Sequence, residues 1–141
     1  MRRFRFRLQR VLDIRVQIRD EARQELVRRN AERDQQASIL KALEDEFNTL
    51  GLKEGGTYSA GELVAVGAYS ERLTIAIRRQ QEVLAAAMRV AQEALERYIE
   101  TSREAKALEM LKDRRLHEHT AESLREEGKL LDEMGGQLKT Q

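Results

Sequence analysis

Gly51-Leu-Lys-Glu-Gly-Gly-Thr-Tyr58 is the stretch that decides how this chain folds. It holds three of the eight glycines, and long runs of helix-forming residues lie on either side of it. Gly51 follows the last residue of a periodic apolar run, where helices commonly stop. Ser59-Ala-Gly-Glu62 comes next and has the form of a capping box. The Ser59 hydroxyl is placed to accept the backbone N–H of Glu62, and the Glu62 carboxylate to reach back to the N–H of Ser59. Tyr58 and Leu63 take the two positions of a hydrophobic staple. The stretch therefore reads as the turn between two helices.

Working upstream, residues 4–50 read as one helix. Phe4, Leu8, Val11, Ile14, Ile18, Ala22, Leu26, Ala37, Leu40, Leu43, Phe47 and Leu50 recur mostly at steps of three and four, which sets them on one stripe. Charge at Arg29 and Arg33 interrupts that stripe and weakens it there. Downstream, residues 60–134 read as a second helix. Its stripe runs from Leu63, Val66, Tyr69, Leu73 and Ile77 through Leu84, Met88, Ala91, Leu95 and Tyr98 to Ala105, Leu108, Leu111 and Leu116. Gly67 and Gly128 each cost about 1 kcal/mol against alanine inside a helix. Gly135-Gly136 is expected to end this helix and leave residues 135–141 as a loose tail.

Neither stripe can be buried alone, so the two helices are expected to fold back on each other. The predicted fold is all-α: an antiparallel two-helix coiled-coil hairpin, one domain over residues 1–141, with the loop at 51–59. A turn near residue 55 sets Phe47 near Leu63 and Leu26 near Leu84. At 1.5 Å per residue the first helix is roughly 70 Å long and the second roughly 110 Å, which leaves a C-terminal overhang of about 40 Å without a partner.

Composition supports this reading and narrows the function. Of 141 residues, 36% are charged and only 4% aromatic, and there is no proline, tryptophan or cysteine. Few large side chains are available for a compact core, whereas Ala, Glu, Leu, Arg and Gln all propagate helix. Without cysteine there is no disulfide, thiol nucleophile or thiolate metal site. No apolar run approaches the roughly 18 residues of a membrane span. The basic N-terminus lacks the apolar segment of a secretory signal, so a cytoplasmic protein is expected.

No catalytic constellation stands out, and no catalytic, cofactor-binding or metal-ligating residues are assigned. The glycine-containing loop lacks the Gly-Lys-Ser/Thr ending of a phosphate-binding loop. His117 and His119 point about 200° apart on a helix, so they cannot share a metal, and both are expected on the solvated surface. Glu126, Glu127, Asp132 and Glu133 read as a solvated polar face. A two-helix pair also offers no concave pocket that excludes water.

Charge gives the first pointer to partners. Net charge is +1, but residues 1–20 hold seven arginines against Asp13 and Asp20, and the rest of the chain has an acidic excess. Phe4 and Phe6 alternate with Arg3, Arg5 and Arg7. They either close the open end of the hairpin or stack on nucleic-acid bases. Lys106, Lys112, Arg114 and Arg115 lie by geometry near the same end, and together they would form one positive surface. On the second helix, Tyr69, Leu73, Ala76 and Gln80 form a stripe with two open readings, packing against the first helix or docking a partner.

Three segments together resemble one known family. Phe4-Arg-Phe-Arg-Leu-Gln-Arg-Val-Leu12 is similar to the opening of flagellar FliJ-family proteins. Ala68-Tyr-Ser-Glu-Arg-Leu-Thr-Ile-Ala-Ile-Arg-Arg-Gln80 and Lys106-Ala-Leu-Glu-Met-Leu-Lys-Asp-Arg-Arg-Leu116, with Leu131-Asp-Glu-Met134 beyond, follow in the family's order. The resemblance implies a non-enzymatic component of the flagellar type III export apparatus, similar to the central stalk of rotary ATPases. Its implied partners are the flagellar export ATPase, the cytoplasmic domain of the export-gate membrane protein, and export chaperones. Nucleic acid and direct membrane insertion are not implied, and the location would be cytoplasmic, at the membrane periphery. Carried over by position, the gate contact would fall on Tyr69, Leu73, Ala76 and Gln80, with Phe47 across the hairpin. Ser70 departs from the family, in which an apolar residue is common after that aromatic. The ATPase contact would draw on Arg2, Arg3, Arg5, Arg7, Arg114 and Arg115. Two other readings remain: a coiled-coil scaffold or virulence-secretion stalk, and a nucleic-acid-binding helical protein using the arginine-rich tip.

Overall fold

The structure is a computed structural model that describes residues 2–51 and 55–139. It has two long helices, α1 (Gln9–Thr49) and α2 (Ala60–Lys139), and no strand among the described residues. The fold is the all-α helical hairpin expected from the sequence. By contact the chain divides into two compact units: Met1–Asp20 with Ile99–Gln141, and Glu21–Tyr98.

In the unit of residues 21–98 the two helices run antiparallel. Gln80 donates from Nε2 to the Gln36 carbonyl at 3.0 Å and to Gln36 Oε1 at 2.7 Å, and the Tyr69 hydroxyl donates to the Glu46 carboxylate. These pairs correct the expected register. Glu46 meets position 69 rather than 64, and Gln36 meets position 80 rather than 74. The helix ends are not flush, and the first turn of α2 runs beyond the end of α1. Leu63 and Val64 are consequently 47% and 72% exposed, and Leu63 does not pair with Phe47 as expected.

Along each helix the covered positions centre on alternating steps of three and four. On α1 the seam positions of this unit are Ala22, Leu26, Arg29, Arg33, Gln36, Leu40 and Leu43, and Glu25 and Asn30 are half-buried beside them. On α2 they are Val66, Ser70, Leu73, Ile77, Gln80, Leu84, Ala87, Ala91, Ala94 and Tyr98, and Ala76 and Ala86 are half-buried beside them. That 3.5-residue repeat is the seam pattern of a left-handed coiled coil. Two expected stripe members, Met88 and Leu95, fall one position off this phase and are exposed, because the neighbouring alanines hold the seam. Arg29 stands in the seam only half covered. Its Nε donates to Glu25 Oε1 at 2.7 Å and its Nη1 to Glu32 Oε2 at 3.0 Å, both on its own helix.

The unit of residues 1–20 and 99–141 continues the same phase on each helix. Leu12 and Ala105 are buried, and Arg15 and Arg19 are half-buried on α1. Arg15 pairs with Glu104 at 2.7 Å, and Arg19 with Glu109 at 3.4 Å. Val11 and Ile14, expected in the stripe, are 42% and 51% exposed, because Leu12 and Arg15, one position on, hold the seam.

Two helix boundaries differ from expectation. Residues 4–8 precede α1 rather than belong to it. Phe4, Phe6 and Leu8 alternate with Arg3, Arg5 and Arg7, and burial alternates with them. A helix would point Phe4 and Phe6 about 200° apart, so only a non-helical backbone covers both. At the other end α2 passes through Gly135-Gly136 to Lys139. A glycine stop works through a left-handed conformation, and among the described glycines only Gly55 has a positive φ, 77°. The start of α2 is as expected: the Glu62 N–H donates to the Ser59 hydroxyl at 3.1 Å. The Tyr58 ring packs over Gly56, where a Cβ would lie 2.8 Å from the Tyr58 hydroxyl and displace the ring.

Candidate partner-binding surfaces

The arginine-rich segment does not project freely. In its unit, residues 2–8 lie against α2 and enclose a cleft of about 740 Å³. Arg2, Arg3, Arg5 and Arg7 rim this cleft together with Arg115. Five of the six arginines expected at this end are therefore gathered in one place. Arg114 is exposed on α2 and does not line the cleft. The apolar floor comes from Phe4, Phe6 and Leu111, and the Phe4 ring stands 5.6 Å from the His119 ring at 59°.

His119 corrects the sequence reading. It was expected on the solvated surface with His117, but it is half-buried under Phe4, whereas His117 is exposed. The expectation that α2 lacks an intrachain partner beyond the first helix is also revised, because residues 2–8 cover its face from Leu111 to Glu122. Glu118 and Glu122 line the same cleft and were not assigned to it from sequence. Their spacing from Arg115, at three and seven residues, is the signal that places them on its face. Arg115 reaches Glu118 at 3.7 Å, so the cleft carries an arginine excess with acidic groups on one wall.

The second candidate surface lies in the unit of residues 21–98, and the structure separates its five expected residues. Leu73 is 5% exposed and belongs to the seam. Gln80 is half-buried and bound to Gln36, and Ala76, four residues before it, is half-buried. Tyr69 and Phe47 are 38% and 40% exposed and offer side-chain surface at the margin of the helix pair. Phe47 lines a shallow depression of about 280 Å³ with Thr74, Ile77 and Arg78. Ile75, also not assigned from sequence, is 52% exposed.

Among the described residues no cluster of histidine, aspartate and glutamate could hold a metal ion, and no helix is long and apolar enough to cross a membrane. One ion-pair network on α1 shifts the titration of two of its members. The hydrogen bond from Arg29 holds the Glu25 carboxyl below its ordinary value against a smaller opposing desolvation, and Arg28 at 2.5 Å adds to the lowering. Glu25 and Glu32 in turn raise Arg29.

A helical hairpin with a polar seam, a basic cleft and exposed aromatic margins defines a class, the antiparallel two-helix coiled coils. The family model described as flagellar FliJ protein matches residues 4–140, nearly the whole chain. The chain belongs to the FliJ family, and membership makes it a component of the flagellar protein-export apparatus. No curated protein and no solved structure matches the chain.

Proposed function

We propose that the chain is a non-enzymatic central stalk and regulator of the flagellar export ATPase, linking it to the export gate and to export chaperones. The observation that carries this reading is the basic cleft, where Arg2, Arg3, Arg5, Arg7 and Arg115 meet on one surface of one unit. Such a surface suits an acidic protein wall, and attraction to it is long-ranged at low salt. In this proposal the ATPase engages the cleft, with Arg114 contributing from the adjacent face of α2.

The gate contact is assigned to the margin formed by Tyr69 and Phe47, with Ala76 and Gln80 behind it. Leu73 acts there as a positioning residue, because its side chain lies in the seam. Protein work at the membrane periphery requires no spanning helix in this chain.

The test is the hydrolysis rate of the export ATPase from the same organism with and without the chain, alongside co-elution on a sizing column. Stimulation with a shared high-mass peak supports the proposal. An active ATPase that neither speeds up nor co-elutes overturns it.

A further inference from the structure

Beyond the cleft, α2 reverses its amphipathic character. Up to Leu108 the positions that face α1 are apolar or small, apart from Gln80. From Lys112 onward the same phase carries Arg115, Glu122, Glu126, Lys129 and Glu133. Three of the exposed apolar residues lie on the opposite side of the helix, whereas Leu130 and Met134, 59% and 55% exposed, lie outside that face. Leu124, Leu131 and Leu138 are 64%, 68% and 76% exposed, one heptad apart.

Small residues interleave with them. Ala121, Leu124, Gly128, Leu131, Gly135 and Leu138 form their own run of alternating steps of three and four. Nothing inside the chain calls for glycine at positions 128 and 135. Neither has a positive φ, and a Cβ built on either meets nothing within 4 Å. Glycine weakens a helix interior, so a helix that keeps two at seam spacing is suited to close approach by another backbone.

We propose that this face is self-complementary and that two copies of the chain pair through it, antiparallel, over residues 121–138. In an antiparallel pair each layer sets a small residue against a leucine of the other copy: Ala121 with Leu138, Leu124 with Gly135, Gly128 with Leu131. The knob of one helix then fills the hollow over the other's missing side chain. The flanking charges fit the same register. Arg125 faces Asp132 of the other copy, and by symmetry this ion pair forms twice. Like charges would meet there if either residue were reversed, so the pair selects this arrangement over competing ones. Residues 2–8 lie against the other side of α2, around Leu111, Arg115 and His119, and leave this face free.

Sedimentation equilibrium on the full chain tests the proposal. The expected result is a mass rising with concentration from 16.3 kDa toward twice that value. Leu131→Asp is expected to raise the dimer dissociation constant about tenfold or more, with unchanged helicity at low concentration. Arg125→Asp should weaken pairing, and the double variant R125D/D132R should restore it. In one chain these two residues lie two turns apart and interact little, so the rescue reports on the antiparallel contact. A monomer at every concentration overturns the proposal. So does a dimer indifferent to Leu131→Asp, or an Arg125→Asp defect that the double variant fails to repair.

Discussion

A leucine in the seam of two helices is packed from one direction, and its worth depends on how completely the facing helix covers it. Leu73 is the best covered leucine of α2, at 5% exposure. Leu73→Ala is expected to cost about 2 kcal/mol, the low end for a buried leucine because a two-helix seam collapses easily. Thermal melting followed by circular dichroism measures it. Tyr69→Ala, at a partly exposed position, should leave the melting temperature nearly unchanged. If it also weakens binding to the gate domain, Tyr69 is a docking residue; a parallel loss of helicity would instead make it part of the seam. Glu25 gives a prediction in pH. Its folded-state pKa is depressed by Arg29 and Arg28, so its stabilising contribution is present above the unfolded value and is lost as pH falls through the folded one. Acid unfolding of Glu25→Gln should therefore show a flatter limb below the ordinary carboxylate value of 4.5, with no change in slope near neutrality. Residue identity in the seam was harder to read from sequence than its existence. Large apolar residues such as Val11, Ile14, Met88 and Leu95 drew the stripe one position off phase. The positions that are covered hold Leu12, Arg15, Ala87 and Ala94, and hydrophobicity alone gives little weight to an arginine or an alanine.

Elements were more legible than residues, because helix propensity and cap chemistry are local. Ser59 and Glu62 announced the start of α2, and the 3.1 Å bond between them is present. Ser59→Ala should cost about 1 kcal/mol, read as fraying of the first turn in amide exchange. The ends were misread where local rules met tertiary contacts. Phe4 and Phe6 are pulled out of a helix because both must cover α2, and Gly135-Gly136 lacks the left-handed turn that would end one. The register was not legible either, since the loop's length does not say how far one helix end runs past the other. The polar stretch of the α1 seam yields a stability prediction. Arg33 sits at a seam position with its side chain 39% exposed. Arg33→Leu is expected to raise stability by about 1 kcal/mol while loosening the choice of register and oligomeric state, as polar seam residues generally trade one for the other. Urea titration gives the first quantity, and sedimentation the second.

At the scale of the whole molecule the candidate site was partly legible. Clustering of arginine near one end followed from composition, but the cleft did not, because it depends on residues 2–8 lying along α2. Replacing Arg2, Arg3, Arg5 and Arg7 together by glutamine should abolish co-elution with the export ATPase and remove the salt dependence of its stimulation. All four are exposed, so the melting temperature should hold. The seam itself has a thermal consequence. Among the described residues no large side chain is fully buried, and four of the six buried apolar residues are alanines. Unfolding therefore uncovers little new apolar surface. Its heat-capacity change should fall below the roughly 12–15 cal/mol/K per residue of globular domains, and its urea dependence toward the low end of about 1–3 kcal/mol/M. A calorimetric trace should be broad and shallow, so that on warming the two helices part gradually, over many degrees, instead of in one cooperative step.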